Sequence, residues 1–199
     1  MKKTLILSLM LFAFFAQAQE KRKTIAVNYG FGAGAVGQGF SSKKDGGGGS
    51  SQEGQSLNTI GISYWNEIAK QLYVETGFHY LVHQYTTHSH MPPIMIFDNE
   101  IKLISIPLKI RYEAGRYIYF NSGFYVDLDI SEDHPNSFNN FSGVGFGVGM
   151  GLQHYFKNGI GIYTNPQLDF RNLHPFSAQY SSEKLFNGNL VFGLAYRIK

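Results

Sequence analysis

The sequence predicts an all-β fold: an eight-stranded antiparallel up-and-down transmembrane β-barrel, preceded by a cleaved signal peptide. Three observations carry that prediction. The chain opens on a secretory leader, eight later segments alternate in polarity with a period of two, and long and short connections take turns between them. Composition agrees. Of 199 residues, 43% are hydrophobic, 16% aromatic and only 16% charged, where soluble domains carry about 25% charge. The 13 Tyr, 17 Phe and 23 Gly suit pleated strands and tight turns better than helices. Such aromatic content argues against disorder, and a formal charge of +3 is too small for a nucleic-acid partner. The absence of Cys excludes disulfides, thiolate metal sites and Cys nucleophiles.

The leader comes first. Lys2 and Lys3 precede an apolar run from Leu5 to Phe15 broken only by Ser8, and Ala16-Gln17-Ala18 supplies the small-x-small pattern of a signal-peptidase site. Residues 1–18 are expected to be a signal peptide cut between Ala18 and Gln19, and residues 19–199 the barrel domain. The apolar run is too short for a spanning helix, which needs about 20 residues. Its removal takes away two Lys and no acid, lowering the formal charge from +3 to +1.

The eight segments follow. The first sets Ile25, Val27, Tyr29 and Phe31 against Ala26, Asn28 and alternate glycines, and the second sets Ile60, Ile62 and Tyr64 against Thr59, Ser63 and Trp65. The third runs over 72–83, with Val74, Phe78 and Tyr80 opposing Glu75, His79 and His83. In the fourth, over 103–113, Ile104, Ile106, Leu108 and Ile110 oppose Lys109, Arg111 and Glu113. The fifth opposes Phe120, Phe124 and Leu128 to Tyr117, Asp127 and Asp129, and the sixth opposes Phe146, Met150 and Leu152 to five alternate glycines. The seventh and eighth set Ile162, Leu168, Phe192 and Leu194 against Asp169, Arg171, Gly193 and Arg197. No apolar-face position is Asp, Glu, Lys or Arg, so the faces sort charge completely. Short connections are expected at 66–71, 114–116 and 157–159, and long ones at 36–56, 85–102, 131–142 and 172–188. That asymmetry matches short periplasmic turns and longer outside loops.

Steric size orients the two faces. The interior of an eight-stranded barrel is just wide enough for its own side chains. The Gly-studded face is therefore the lumen, and the face of long Ile, Leu and Phe meets lipid; a soluble lipocalin-like barrel around a ligand cavity would reverse them. Tyr29, Tyr64, Tyr80, Tyr112, Tyr196 and Phe156 or Phe170 would form the interfacial girdle. The lumen would hold Glu75, Lys109, Arg111, Glu113, Asp127, Asp129, Asp169, Arg171 and Arg197, with His79 and His83. An unpartnered buried ion costs several kcal/mol, so an interleaved acid–base network that plugs the barrel is expected, not a bore. Pro107 and Pro166 lie inside strand segments, where a missing ladder donor suggests bulges, and Lys102 is expected at the headgroup edge.

The run Leu103-Ile104-Ser105-Ile106-Pro107-Leu108-Lys109-Ile110-Arg111-Tyr112 is followed by an aromatic strand around Gly123-Phe124-Tyr125 and a Gly-alternating strand from Gly143 to Gly151. In that order these segments resemble the PorT-like outer-membrane β-barrel proteins of Bacteroidota. The resemblance extends over the mature chain and implies a small porin-like barrel in the cell outer membrane, with no catalytic residues to carry over. A few members of that family assist the type IX secretion system. The terminal Tyr196-Arg197-Ile198-Lys199 departs from the final aromatic common in outer-membrane proteins.

Two motifs invite chemistry. His79, His83, His88 and His90 lie close in sequence, but His79 and His83 are separated by roughly 13 Å along a strand, and the loop pair His88 and His90 lacks further converging ligands. No metal and no cofactor are expected. His88-Ser89 raises outer-leaflet lipid hydrolysis, yet adjacent loop residues do not give a nucleophile oriented by its base. Gly46–Gly49 lacks the Lys-Ser/Thr ending of a phosphate loop. The sequence therefore favours a non-enzymatic barrel with an occluded polar lumen, acting in envelope structure or interaction through long outer loops. The alternatives are an accessory of type IX secretion and a lipid-modifying enzyme. Expected partners are outer-membrane lipid and lipopolysaccharide, the barrel-assembly machinery, and secretion-system or surface partners.

Overall fold

The computed structural model describes residues 21–38, 50–89, 96–131, 140–176 and 183–198. The expected signal peptide with its Ala18–Gln19 cut, the run Gly46–Gly49 and His90 lie outside them. Eight strands close into one antiparallel barrel in chain order: β1 (Lys23–Gln38), β2 (Ser50–Ala69), β3 (Leu72–Ser89), β4 (Ile96–Ala114), β5 (Ile118–Asp129), β6 (Gly143–Tyr155), β7 (Ile160–Pro175) and β8 (Glu183–Ile198). Where all eight strands pair, closure leaves no edge, and β8 pairs with β1 from Lys23↔Ile198 to Gln38↔Glu183. Period-two alternation sends Phe78, Leu108, Phe124 and Leu194 outward and Asn28, Lys109, Asp127 and Asp169 inward.

The strands outrun the expected segments at one end. Every described residue of 36–56 and 85–102, and every one of 172–188 but Phe176, is strand, not loop: β1 continues to Gln38, β2 starts at Ser50, β3 reaches Ser89 and β4 begins at Ile96. The polarity of the wall inverts there over most of β2, β3 and β4. Outward positions become Asn58, Gln84, Asp98 and Glu100, with Ile96 still exposed at the tip of β4 and Phe186 on β8, while Leu57, Leu81, Tyr85, Ile101, Leu103, Phe141 and Leu185 cluster inside. Above the apolar belt the outer solvent is water, so the pattern is that of a soluble sheet. Apolar-out alternation, the signal by which the sequence marks a strand in lipid, ends at that boundary. Lys102 sits at it and pairs with Glu100 at 2.9 Å.

The extended rim also divides. β1 leaves β2 after Gly32↔Leu57 and continues only on β8, whereas β2 continues on β3 to Ser50↔Ser89. β5 pairs with β4 no further than Leu103↔Asp129, while β3 and β4 stay paired to His88↔Ile96. A three-stranded sheet of β2, β3 and β4 thus rises beyond the closed part of the barrel.

Pro107 and Pro166 do not sit at bulges. Register is continuous across each, and only the ladder on one side is interrupted: pairing skips from Thr76↔Leu108 to His79↔Ser105 and from Gly149↔Gln167 to Leu152↔Thr164. A missing N–H removes a bond without inserting a residue. The register shifts lie instead at Gly54/Ser56, Glu67/Ala69 and Val144/Phe146. At the last, three β7 residues lie opposite one β6 residue, Asn172 adopts φ of 57°, and both Arg171 and Asn172 turn inward.

Glycine makes the lumen wide enough for rings. Tyr119 lies across Gly151, Tyr155 across Gly161 and Tyr163 across Gly193, each pair cross-strand neighbours. A β-carbon at Gly193 would enter the Tyr163 ring, whereas one at Gly188 on the outer wall meets only Leu168 at 3.7 Å. Gly193→Ala is therefore expected to destabilise by about 1–3 kcal/mol through overpacking. Gly188→Ala should change stability by less than about 0.5 kcal/mol. Urea unfolding of the two variants in lipid vesicles checks the contrast.

Candidate functional site

The lumen, where most of the chemistry-bearing side chains gather, is built in three layers. Nearest the short turns lies an aromatic layer. Trp65, Tyr73, Tyr119 and Tyr163 are buried together with Ala26, Val191 and Ala195. The Arg111 guanidinium is held between two of these rings, 3.9 Å from the Trp65 centroid and 3.4 Å from that of Tyr119, and donates to Gln153 Oε1 at 2.7 Å. Its charge is met by ring faces rather than by a carboxylate. Arg197 lies over the Tyr155 ring at 3.5 Å and 3.5 Å from Glu113, which also accepts from the Tyr73 hydroxyl at 3.3 Å.

The middle layer is ionic. Arg171 donates to Asp127 at 2.6 Å and to Ser105 Oγ at 3.0 Å, and lies 3.6 Å from Asp169. Asp169 in turn accepts from the Tyr125 hydroxyl at 2.6 Å, from Gln167 at 3.2 Å and from Asn189 at 3.3 Å. Lys109 makes no ion pair within 4.0 Å with its cross-strand neighbour Glu75; its Nζ donates to Gln167 Oε1 at 3.2 Å and sits 4.6 Å over the Tyr125 ring. Oε2 of Glu75 has no hydrogen-bond partner among the described residues and faces a void beside Lys109, Arg111 and Asn165. That void measures about 20 Å³, room for one water molecule. The third layer is the apolar cluster around Leu81 and Leu103, with His83 buried beside Tyr85.

The structure thus brings Asp127, Asp169 and Arg171 together, and separately Glu113 and Arg197. Glu75, Lys109 and Arg111 share the void without a direct ion pair among the described residues. Asp129 stands apart. It accepts from the backbone N–H of Ser131 (2.9 Å) and of Phe141 (2.8 Å), closing the end of β5 where the ladder stops and donors are left over. Tyr117, expected inward, is exposed in the β4–β5 turn and stacks on His154. His88 and Ser89 end β3.

Sequence reading missed one pair. Ser63 Oγ lies 3.0 Å from His79 Nε2 and accepts from Asn28 Nδ2 at 3.1 Å. This is nucleophile–base spacing. Yet Ser63 is 1% exposed and walled in by the lumen, so no lipid substrate reaches it. The signal that could have found it is the shared inward parity of β2 and β3, which places Ser63 and His79 near one another once register is known.

Residues 4–197 match the family described as the outer membrane protein beta-barrel domain. No curated protein matches the sequence. Among solved structures, the outer membrane protein OprG from Pseudomonas aeruginosa superposes with a TM-score of 0.51 at 13% identity, over 89% of this chain and 95% of that one. The outer membrane protein AlkL, solved in lipid bilayers, superposes with a TM-score of 0.58 at 11% identity, over 92% and 93%. At such identities these likenesses show the fold.

Proposed function

Since the chain belongs to the outer membrane protein β-barrel domain family and resides in the outer membrane, we propose that it is a non-enzymatic anchor whose working part is the sheet raised beyond the lipid belt. One observation carries this reading: among the described residues the charged middle layer of the lumen encloses a void of only about 20 Å³, while β2, β3 and β4 continue past the belt with Asn58, Gln84, Asp98 and Glu100 on their outer face. A barrel filled this way has no path for solute, and its chemistry is committed to holding the wall together. The raised sheet offers Gln84 and Asp98 to the cell exterior, on the rim opposite the short turns.

The purified protein in planar bilayers is expected to show no steady conductance in salt, and persistent open steps would overturn the sealed-lumen reading. Photo-crosslinking side chains placed at Gln84 and Asp98 should capture a surface partner in living cells. Capture confined to Lys70 and Lys157 in the short turns would favour a periplasmic task instead.

A second reading keeps one supporting observation. The strand carrying Ile106-Pro107-Leu108-Lys109, with its continuous register through Pro107, is the segment that resembles PorT-like proteins. On that reading the barrel is an accessory of type IX secretion, and deletion would make secreted cargo accumulate in the periplasm. A lipid-modifying role predicts a changed lipid A profile on deletion, reproduced by His88→Ala or Ser89→Ala. The inaccessible Ser63–His79 pair argues against an internal hydrolase.

A further inference from the structure

The rim formed by the short turns carries exposed charge of a single sign. Arg22 and Lys23 open β1, Lys70 lies in the β2–β3 turn, Arg116 in the β4–β5 turn and Lys157 in the β6–β7 turn, and all five are exposed. The carboxylates at this end are engaged. Glu67 is half-buried, accepts from the backbone N–H of Arg22 (3.2 Å) and of Gln71 (3.3 Å), and lies 3.9 Å from the Arg22 guanidinium. Glu113 is turned into the lumen toward Arg197. Among the described residues no acid of this rim is exposed.

Placement decides what such charge can meet. The cations come from the start of β1 and from each of the three short turns, so they ring the barrel. A protein docking on one side would engage one or two of them. A ligand that surrounds the barrel engages them all, and the surrounding ligand in a membrane is lipid. Next to the cations on the belt side stand Tyr112, Tyr117, Phe156 and Tyr196, exposed aromatics suited to headgroup depth. On one flank they form a continuous stack: Arg116 lies 5.4 Å over the Tyr117 ring, Tyr117 is parallel to His154 at 5.9 Å, and His154 meets Phe156 edge-on at 4.9 Å, one residue before Lys157. A cation over one end of an aromatic shelf and an exposed lysine next in chain to its other end present charge where a phosphodiester would lie.

We propose that this rim is a collar for anionic phospholipid headgroups of the periplasmic leaflet, with the Arg116–Lys157 flank as its strongest subsite. The collar is independent of what the raised sheet binds at the other end. The test reconstitutes the mature chain into phosphatidylcholine vesicles carrying trace spin-labelled phosphatidylglycerol or spin-labelled phosphatidylcholine. The motionally restricted fraction of each label reports which lipid occupies the barrel wall. Phosphatidylglycerol is expected to be preferred several-fold at low salt. The preference should fall toward unity in about 1 M salt, where the screening length is about 3 Å. Arg116→Gln with Lys157→Gln should lose most of it while keeping the heat-modifiable mobility of a folded barrel, and Lys102→Gln on the opposite rim should keep it. Equal association of the two labels with the wild-type chain overturns the proposal, as does a preference that survives the double substitution. Co-sedimentation with isolated peptidoglycan that the double substitution abolishes, without lipid selectivity, would assign the rim to the cell wall and overturn it as well.

Discussion

Arg171→Met should unfold the barrel more readily than any substitution on its surface, lowering stability by about 3–5 kcal/mol. Arg171 is 1% exposed, and its guanidinium serves Asp127 at 2.6 Å, Asp169 at 3.6 Å and Ser105 at 3.0 Å. Met fills much of the volume but leaves two carboxylates, each fully buried, with no cation in contact. The loss is therefore dominated by stranded charge rather than by a cavity. Pairing Arg171→Met with Asp127→Asn removes one of the stranded charges, so the double variant should recover part of the loss, and the coupling measures the ion pair. Urea titration in lipid vesicles, read by heat-modifiable gel mobility, gives both numbers. A single-variant loss below about 1 kcal/mol would mean that Asp127 and Asp169 are hydrated, and the sealed lumen would fall with that result.

Leu108→Arg is the second large effect, expected to cost about 2–4 kcal/mol in a bilayer. Leu108 is the middle of the outward run Ile104, Ile106, Leu108, Ile110 and Tyr112 on β4 and is 59% exposed. In water an exposed Leu exchanged for Arg is nearly neutral, so the cost arises only if hydrocarbon covers that position. Gln84→Arg on β3 supplies the contrast. Gln84 also points outward, but above the apolar belt, and its substitution should cost about 0–1 kcal/mol. Equal effects for the two variants would remove the belt boundary at which Lys102 sits.

The two predictions draw on information of different origin. Leu108 was assignable to lipid from alternation alone, because parity says which wall a residue faces and Gly on the other wall says which wall is narrow. Arg171 was assignable to the lumen by the same parity. Its partner was not. Asp127 is 44 residues away in sequence, and its level in the lumen depends on strand stagger. The register shift at Val144/Phe146 changes that level again by adding residues to β7, and no local pattern marks it. For the same reason Lys109 was expected to meet an acid and instead meets Gln167 and the Tyr125 ring. Asp129 had the right parity but the wrong height, at the top of β5, where spare backbone donors claim it.

By itself the sequence determined the strand count, the handed sorting of charge inward and hydrocarbon outward, and which end carries short turns, because each follows from period-two geometry and local turn chemistry. Only the closed tertiary structure decided which ions touch, that Arg111 rests between Trp65 and Tyr119, and that β2, β3 and β4 rise past the belt with reversed polarity. Closure fixes the stagger of all eight strands at once, and height in the lumen is a property of that whole ring rather than of any one strand.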